Sequence, residues 1–162
     1  MQKALSASST SLSSMPAFSF GRVYLRIYYD SITHVLSVTI IQSNKLQHSE
    51  RQKLYPRVQF HLSLKNGDFK SNVYKTNSHH NLDLIDIKES FYYPNIDQEN
   101  VNNHMVELSV TGKDRLFFGT DKILSQGSLL LDNLNCGEQL YCSILMEECL
   151  VGQILNIFEH FL

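Results

Sequence analysis

Arg57-Val58-Gln59-Phe60-His61-Leu62-Ser63-Leu64, followed by Lys65-Asn66-Gly67-Asp68-Phe69, decides the fold class. Val58, Phe60, Leu62 and Leu64 fall on one side of an extended chain. Arg57, Gln59, His61 and Ser63 fall on the other. That period-two alternation is a strand with one buried face. Asn66-Gly67 is the dipeptide of a type I′ turn, since both residues tolerate positive φ. It predicts a tight hairpin into a second strand, residues 69–76.

Working outward, the same alternation recurs. Arg22 to Tyr29 puts Val23, Leu25 and Ile27 on one face. His34 to Ile41 is rich in Val, Ile and Thr, as strands are. Ile87 to Tyr93 is closed by Pro94-Asn95. Met105 to Thr111, Ser128 to Leu131 and Leu140 to Leu145 follow. Eight short strands at these spacings predict an all-β chain, an eight-stranded antiparallel sandwich. The last stretch breaks the rule. Leu150, Ile154, Ile157, Phe158 and Phe161 recur at helical spacing and predict an amphipathic C-terminal α-helix over 148–162. The organisation expected is a flexible Ser-rich leader over 1–20, a sandwich over 21–147 and that helix.

A chain of 162 residues with 43% hydrophobic content suits one domain with a real core. It holds no apolar run long enough to cross a bilayer. Net charge is −2, so the chain as a whole is no polyanion binder. The two halves differ, at +7 over residues 1–75 and −9 over 76–162. That asymmetry allows a local basic face for an anionic partner. Cys136, Cys142 and Cys149 are too few and too uneven for a disulfide framework, and residues 1–20 lack a secretory apolar stretch. A cytoplasmic chain, associating with membranes only peripherally, is expected.

Enzyme signatures are absent. There is no phosphate-cradling Gly loop, Gly-x-Ser-x-Gly elbow, His-Glu-x-x-His or Cys-x-x-Cys. His79 and His80 are adjacent, so on a strand they point to opposite faces and do not share an ion. The pairs Asp83/Asp86 and Glu147/Glu148 read as solvated carboxylates. No catalysis, cofactor or metal is expected. Arg57, Lys65, Lys70 and Lys75 form a basic hairpin, with Phe69 and Tyr74 among them. Four charges over that length make a modest patch, and no nucleic-acid reading motif accompanies them.

The order of these segments resembles a C2 domain of the synaptotagmin and rabphilin type. Gly21-Arg22-Val23-Tyr24-Leu25-Arg26-Ile27-Tyr28-Tyr29-Asp30 is similar to the family's opening strand. Leu36 to Leu46 resembles its second strand, and Leu54-Tyr55-Pro56-Arg57-Val58 stands where the family has Ser-Asp-Pro-Tyr-Val. Lys88-Glu89-Ser90-Phe91-Tyr92-Tyr93 resembles Asn-Glu-x-Phe-x-Phe. The likeness covers residues 21–147 and implies a type-I C2-like sandwich.

In calcium-binding members, carboxylates on two loops hold the ions. Here the resemblance leaves Glu50, Asp114 and Asp121 as residual calcium-loop positions. Tyr55 replaces one ligand, and Gly112, in Val110-Thr111-Gly112-Lys113-Asp114, replaces another. Calcium independence is the expectation, with a weak calcium-dependent lipid binder as the alternative. Arg115, Leu116, Phe117 and Phe118 fall at the tip of the third loop and form the implied membrane contact. The expected partners are anionic phospholipid surfaces or trafficking proteins, other C2 domains among them. A protein-interaction scaffold without membrane binding is the second reading.

Overall fold

The computed structural model describes residues 3–6, 19–47, 49–113 and 121–149. In chain order the elements are β1 (Lys3–Ser6), β2 (Ser19–Asp30), β3 (Val35–Asn44), α1 (Ser49–Leu54) and β4 (Arg57–Asn66). The short β5 (Phe69–Lys70), β6 (Tyr74–Lys75) and β7 (His79–His80) follow. Then come β8 (Leu84–Tyr93), a 3₁₀ turn (Val101–Asn103), β9 (Met105–Lys113), β10 (Asp121–Leu130) and β11 (Gln139–Glu148).

The hydrogen-bonded order is β5-β4-β9-β10-β11-β2-β3-β8, antiparallel throughout. This path folds over on itself where β10 passes to β11, a junction of only two residue pairs, Ser125 with Glu148 and Gln126 with Glu147. Its two ends then meet. The Tyr93 hydroxyl on β8 donates to the Leu62 carbonyl on β4 at 3.1 Å. Tyr74 stacks on Phe91 and meets Tyr93 edge-on. Between the layers lies one core, with Val23, Leu25, Ile27, Val38, Ile40, Phe60, Leu62, Leu64, Val110 and Ile144 fully shielded from solvent. The alternation read in the sequence is what supplies it.

The hairpin forms, but its turn sits one residue later than the Asn66-Gly67 reading. Asn66 pairs with Phe69, so the two-residue loop is Gly67-Asp68. Only Gly67 has positive φ, at +57°. Glycine first and an ordinary residue second is the II′ pattern, whose twist also suits a hairpin.

The expected strand over 69–76 is interrupted. The Ser71 hydroxyl accepts the Leu64 N–H at 2.8 Å, and the Thr76 hydroxyl accepts the Phe60 N–H at 3.0 Å. The pairing shifts by one residue after each break, as at a bulge. The strand expected over 128–131 is longer and begins at Asp121.

The leader reading of 1–20 meets two strand segments. Lys3–Ser6 pairs in parallel with Leu140–Ser143, and Ser19 and Phe20 belong to β2. Glu148, expected to start the terminal helix, is the last residue of β11. The remainder of that helix, residues 150–162, lies outside the described residues. Among the described residues no helix is long and apolar enough to cross a membrane.

Candidate functional site

One end of the sandwich gathers the α1 segment, the turn before β8 and the paired ends of β9 and β10. The segments are tied to each other by named bonds. The Lys45 N–H donates to the Asp83 carbonyl at 2.7 Å, and the Gln52 side-chain amide to the Asp83 carboxylate at 2.8 Å. The Asn81 amide donates to the Gln47 side-chain oxygen at 2.5 Å and to the Tyr55 carbonyl at 2.9 Å. The result holds Leu54, Leu82 and Leu84 at the surface, exposed by 46%, 58% and 59%.

The centre of this end is filled by side chains. A Cβ placed on Gly112 would stand 2.8 Å from Leu124 Cδ1 and 3.0 Å from Tyr55 Cβ. Tyr55 is therefore packed directly on the bare glycine. Above its ring lies the Arg51 guanidinium, 5.9 Å from the centroid. The same guanidinium donates to Glu148 Oε1 at 2.7 Å. The Glu148 side chain is 1% exposed and that of Arg51 16%. Among the described residues, Glu148 Oε2 is buried with no hydrogen-bond partner. One buried cation–carboxylate pair thus ties α1 to the end of β11.

A calcium ion takes six to eight oxygens, supplied in such a loop end by carboxylates. Tyr55 and Gly112 offer no carboxylate where the resemblance places ligands. Glu50 is exposed on α1. Asp121, expected in the loop, is the first residue of β10, exposed and paired in register with Lys113. Among the described residues no three His, Cys, Asp or Glu side chains converge on one point. Asp114 and the membrane-contact residues Arg115, Leu116, Phe117 and Phe118 lie outside the described residues.

The basic hairpin is brought onto one outer face but not to one point. Arg57 and Lys65 share that face of β4, about 26 Å apart by strand rise. Arg57 is bound locally to Ser78 and His80. Lys75 stands opposite His61 and Lys70 opposite Lys65. Lys70 is paired with Glu107 at 3.3 Å. Beside them a concave groove of about 810 Å³ runs across β4, β9 and β10, lined by His61, Ser63, Lys70, Glu107, Gln126 and Glu147 among others. Its mixed charge is a poor match for a polyanionic headgroup. Burial, then the charge of Lys75, holds the His61 imidazole below its ordinary pKa.

Sequence reasoning passed over Arg51 and read Glu148, with Glu147, as a solvated carboxylate, whereas Glu148 is buried and paired with Arg51. Arg51 and Tyr55 stand four apart, a visible spacing, but nothing local connects Arg51 with a residue 97 positions away.

No protein-family model matches the chain, and no curated protein matches it significantly. Solved structures do. The first of the C2 domains of RIM from Drosophila aligns with a TM-score of 0.61 at 18% identity, covering 78% of this chain and 98% of that domain. The third C2 domain of KIAA1228 aligns at 0.63 and 14% identity, covering 85% and 95%. The first C2 domain of human synaptotagmin XIII aligns at 0.57 and 16%, covering 83% and 94%. With its strand order and closed sandwich, the chain has the fold of a C2 domain, in the form seen in RIM and synaptotagmin.

Proposed function

We propose that this chain is a non-catalytic docking module that binds anionic phospholipid membranes without calcium, using the loop end of the sandwich. The observation that carries the reading is the trio Leu54, Leu82 and Leu84, held exposed by the bonds that pin Asn81 and Asp83. Leucines at a loop tip gain most by entering the interfacial layer, about 1.5–3 kcal/mol for each side chain fully removed from water. Lys45, Lys53 and Lys113 stand at the same end, but so do Glu50, Asp83 and Asp121. Coulomb attraction is therefore modest, and the apolar contribution leads. Arg115, Leu116, Phe117 and Phe118, between β9 and β10, extend the same contact in this reading. Calcium independence is supported by Tyr55 and Arg51 occupying the space where oxygen ligands would be needed. The setting, vesicle trafficking or membrane-associated scaffolding at the cytoplasmic surface, follows from the resemblance to synaptotagmin and rabphilin domains.

Vesicle sedimentation tests this reading. Phosphatidylserine vesicles are expected to carry the chain down equally in chelator and in millimolar calcium, with little loss at high salt. Leu82→Ser with Leu84→Ser is expected to abolish that binding and leave the melting temperature nearly unchanged. Binding only with calcium, or undiminished binding by the double variant, would overturn the proposal.

A further inference from the structure

The two edges of β11 are treated differently. β2 holds one of them through eight residue pairs, from Gln139 with Tyr28 to Glu147 with Ser19. On the other edge, among the described residues, β10 pairs only with Glu147 and Glu148 and then departs into the opposite layer. Left to itself, the rest of that edge would show a row of bare N–H and C=O groups, the template on which another strand adds. Lys3–Ser6 is seated there, in parallel with Leu140–Ser143.

The seat belongs to the fold, whereas its occupant is held at one place. Leu140, Cys142 and Ile144 are core residues. A Cβ on Gly127 would stand 2.7 Å from the Leu145 carbonyl oxygen, so β10 closes the edge at that point and bounds the seat. Among the described strands, β1 pairs with β11 alone. Its ladder is parallel, the weaker kind per residue. Ordering four residues costs nearly what the few hydrogen bonds of such a ladder return. Ser6 stands beside Ser143, and Ser19 beside Glu147 on the opposite edge. Strand spacing and rise put those two places about 16 Å apart, and residues 7–18 reach about 40 Å. β1 can therefore leave its seat without pulling on β2.

We propose that the outer edge of β11, residues 139–143, is a strand-acceptor site for an extended segment of a partner protein, with Lys3–Ser6 as the chain's own removable occupant. Main-chain hydrogen bonds supply the affinity in such strand addition, and alternate side-chain positions supply the specificity. The occupant shows what the seat takes: a strand parallel to β11 and free of proline, which would remove a ladder donor. Leu140 and Cys142 are each 5% exposed, so the positions in register with them lie on the buried face. The partner segment accordingly carries an apolar residue beside Cys142, where this chain has Leu5. The tethered segment competes at an effective concentration of about 1 mM. A partner's apparent affinity is lowered by the fraction of time that the seat is filled. The inference goes beyond membrane docking, because the seat lies on the half of β11 away from Glu148 and the loop end.

The test titrates a synthetic peptide of residues 1–8 into the isotope-labelled full chain and follows backbone amides by NMR. The same peptide with Ala4→Pro or with Leu5→Asp serves as comparison. In a full chain carrying Ala4→Pro, whose own segment cannot complete the ladder, the wild-type peptide should shift the amides of residues 139–143. Half-saturation is expected near about 1 mM or below. The wild-type chain should bind the peptide roughly twofold to tenfold more weakly, the share taken by its own occupant. Both comparison peptides should bind less tightly than the wild-type peptide. The proposal fails if the peptide leaves those amides unmoved or moves them equally in the two chains. It fails if the Leu5→Asp peptide binds as the wild-type one does. Unfolding of the Ala4→Pro chain would show β1 to be an integral strand and overturn the proposal as well. If the wild-type chain dimerises on sedimentation while Ala4→Pro stays monomeric, the occupant is a second copy of this chain and the partner-protein reading is refuted.

Discussion

Removing Arg51 should expose how the loop end is held together. In Arg51→Ala the Glu148 carboxylate, 1% exposed, is left inside the fold with no opposite charge. Stranding a buried carboxylate typically costs about 3–5 kcal/mol. The group has one escape, which is to take a proton. For an ordinary glutamate that costs about 3.7 kcal/mol at pH 7 and about 1 kcal/mol at pH 5. The escape therefore caps the penalty, and the cap falls with pH. Loss of the guanidinium from the Tyr55 ring adds about 0.5–1 kcal/mol that does not depend on pH. The expected destabilisation is about 3.5–4.5 kcal/mol at pH 7 and about 1.5–2 kcal/mol at pH 5.

Glu148→Gln reverses the geometry. Arg51 is 16% exposed, so its charge can turn toward water, and a cost nearer 1–2 kcal/mol is expected. The double variant should cost little more than Glu148→Gln alone, since no charge is then stranded. Urea denaturation at the two pH values, with unchanged m-values, reads all four corners of the cycle. On a chain of this length 3 kcal/mol corresponds to roughly 6–12 °C in Tm. An Arg51→Ala penalty below about 1 kcal/mol, or one that does not shrink at pH 5, would refute the reasoning.

Other outcomes are equally specific. Gly67→Val should destabilise by about 1–2 kcal/mol, because φ of +57° strains a β-branched residue, whereas Asn66→Ser should be nearly neutral; urea titration separates them. Millimolar calcium should leave Tm unchanged, and a reproducible rise would reveal a site by linkage. Burial pushes the Cys142 thiol up to about 12, so at pH 8 a thiol reagent should label the exposed Cys136 while Cys142 stays protected until unfolding. Because the folded His61 pKa is depressed, its contribution is present above the unfolded value, about 6.5, and is lost as pH falls below it. His61→Gln should flatten that part of the pH–stability curve.

The sandwich is legible because its signal is local. Residues two apart in one strand face the same way, so Val58, Phe60, Leu62 and Leu64 mark a buried face without reference to anything else. The turn reads one residue early because Asn-Gly is the strongest two-residue hairpin signal. The pairing of Asn66 with Phe69 overrides it and puts Gly67 first in the turn. The breaks in the partner strand come from Ser71 and Thr76 hydroxyls that replace backbone acceptors, a competition that composition does not reveal. β10 reads too short because Ser125, Gln126 and Gly127 look like a loop. Gly127 is required there by contact, since a Cβ would stand 2.5 Å from Ile144 Cγ2 on β11. Arg51 with Glu148 is illegible for a different reason: the pair is defined only once β11 returns beside β10.

At the loop end, two sequence departures that look independent form one packing unit. Tyr55 and Gly112 each remove a carboxylate that the resemblance leads one to expect. The glycine is what makes room for the tyrosine, because Tyr55 Cβ and Leu124 Cδ1 occupy the space an aspartate Cβ would need. Returning an aspartate at 112 alone would therefore overpack the core before it supplied a ligand. Returning one at 55 as well would still leave the Arg51 guanidinium close by. A unit positive charge within a few ångströms opposes a dication by several kcal/mol at protein dielectric. That guanidinium also does the mechanical work expected of a metal in such a loop. It binds Glu148 across 97 residues of chain and fixes α1 against β11. On the calcium-independent reading proposed above, a loop end already tied by its own cation would gain no order from calcium, and its exposed Leu54, Leu82 and Leu84 would be presented at all times and not on demand.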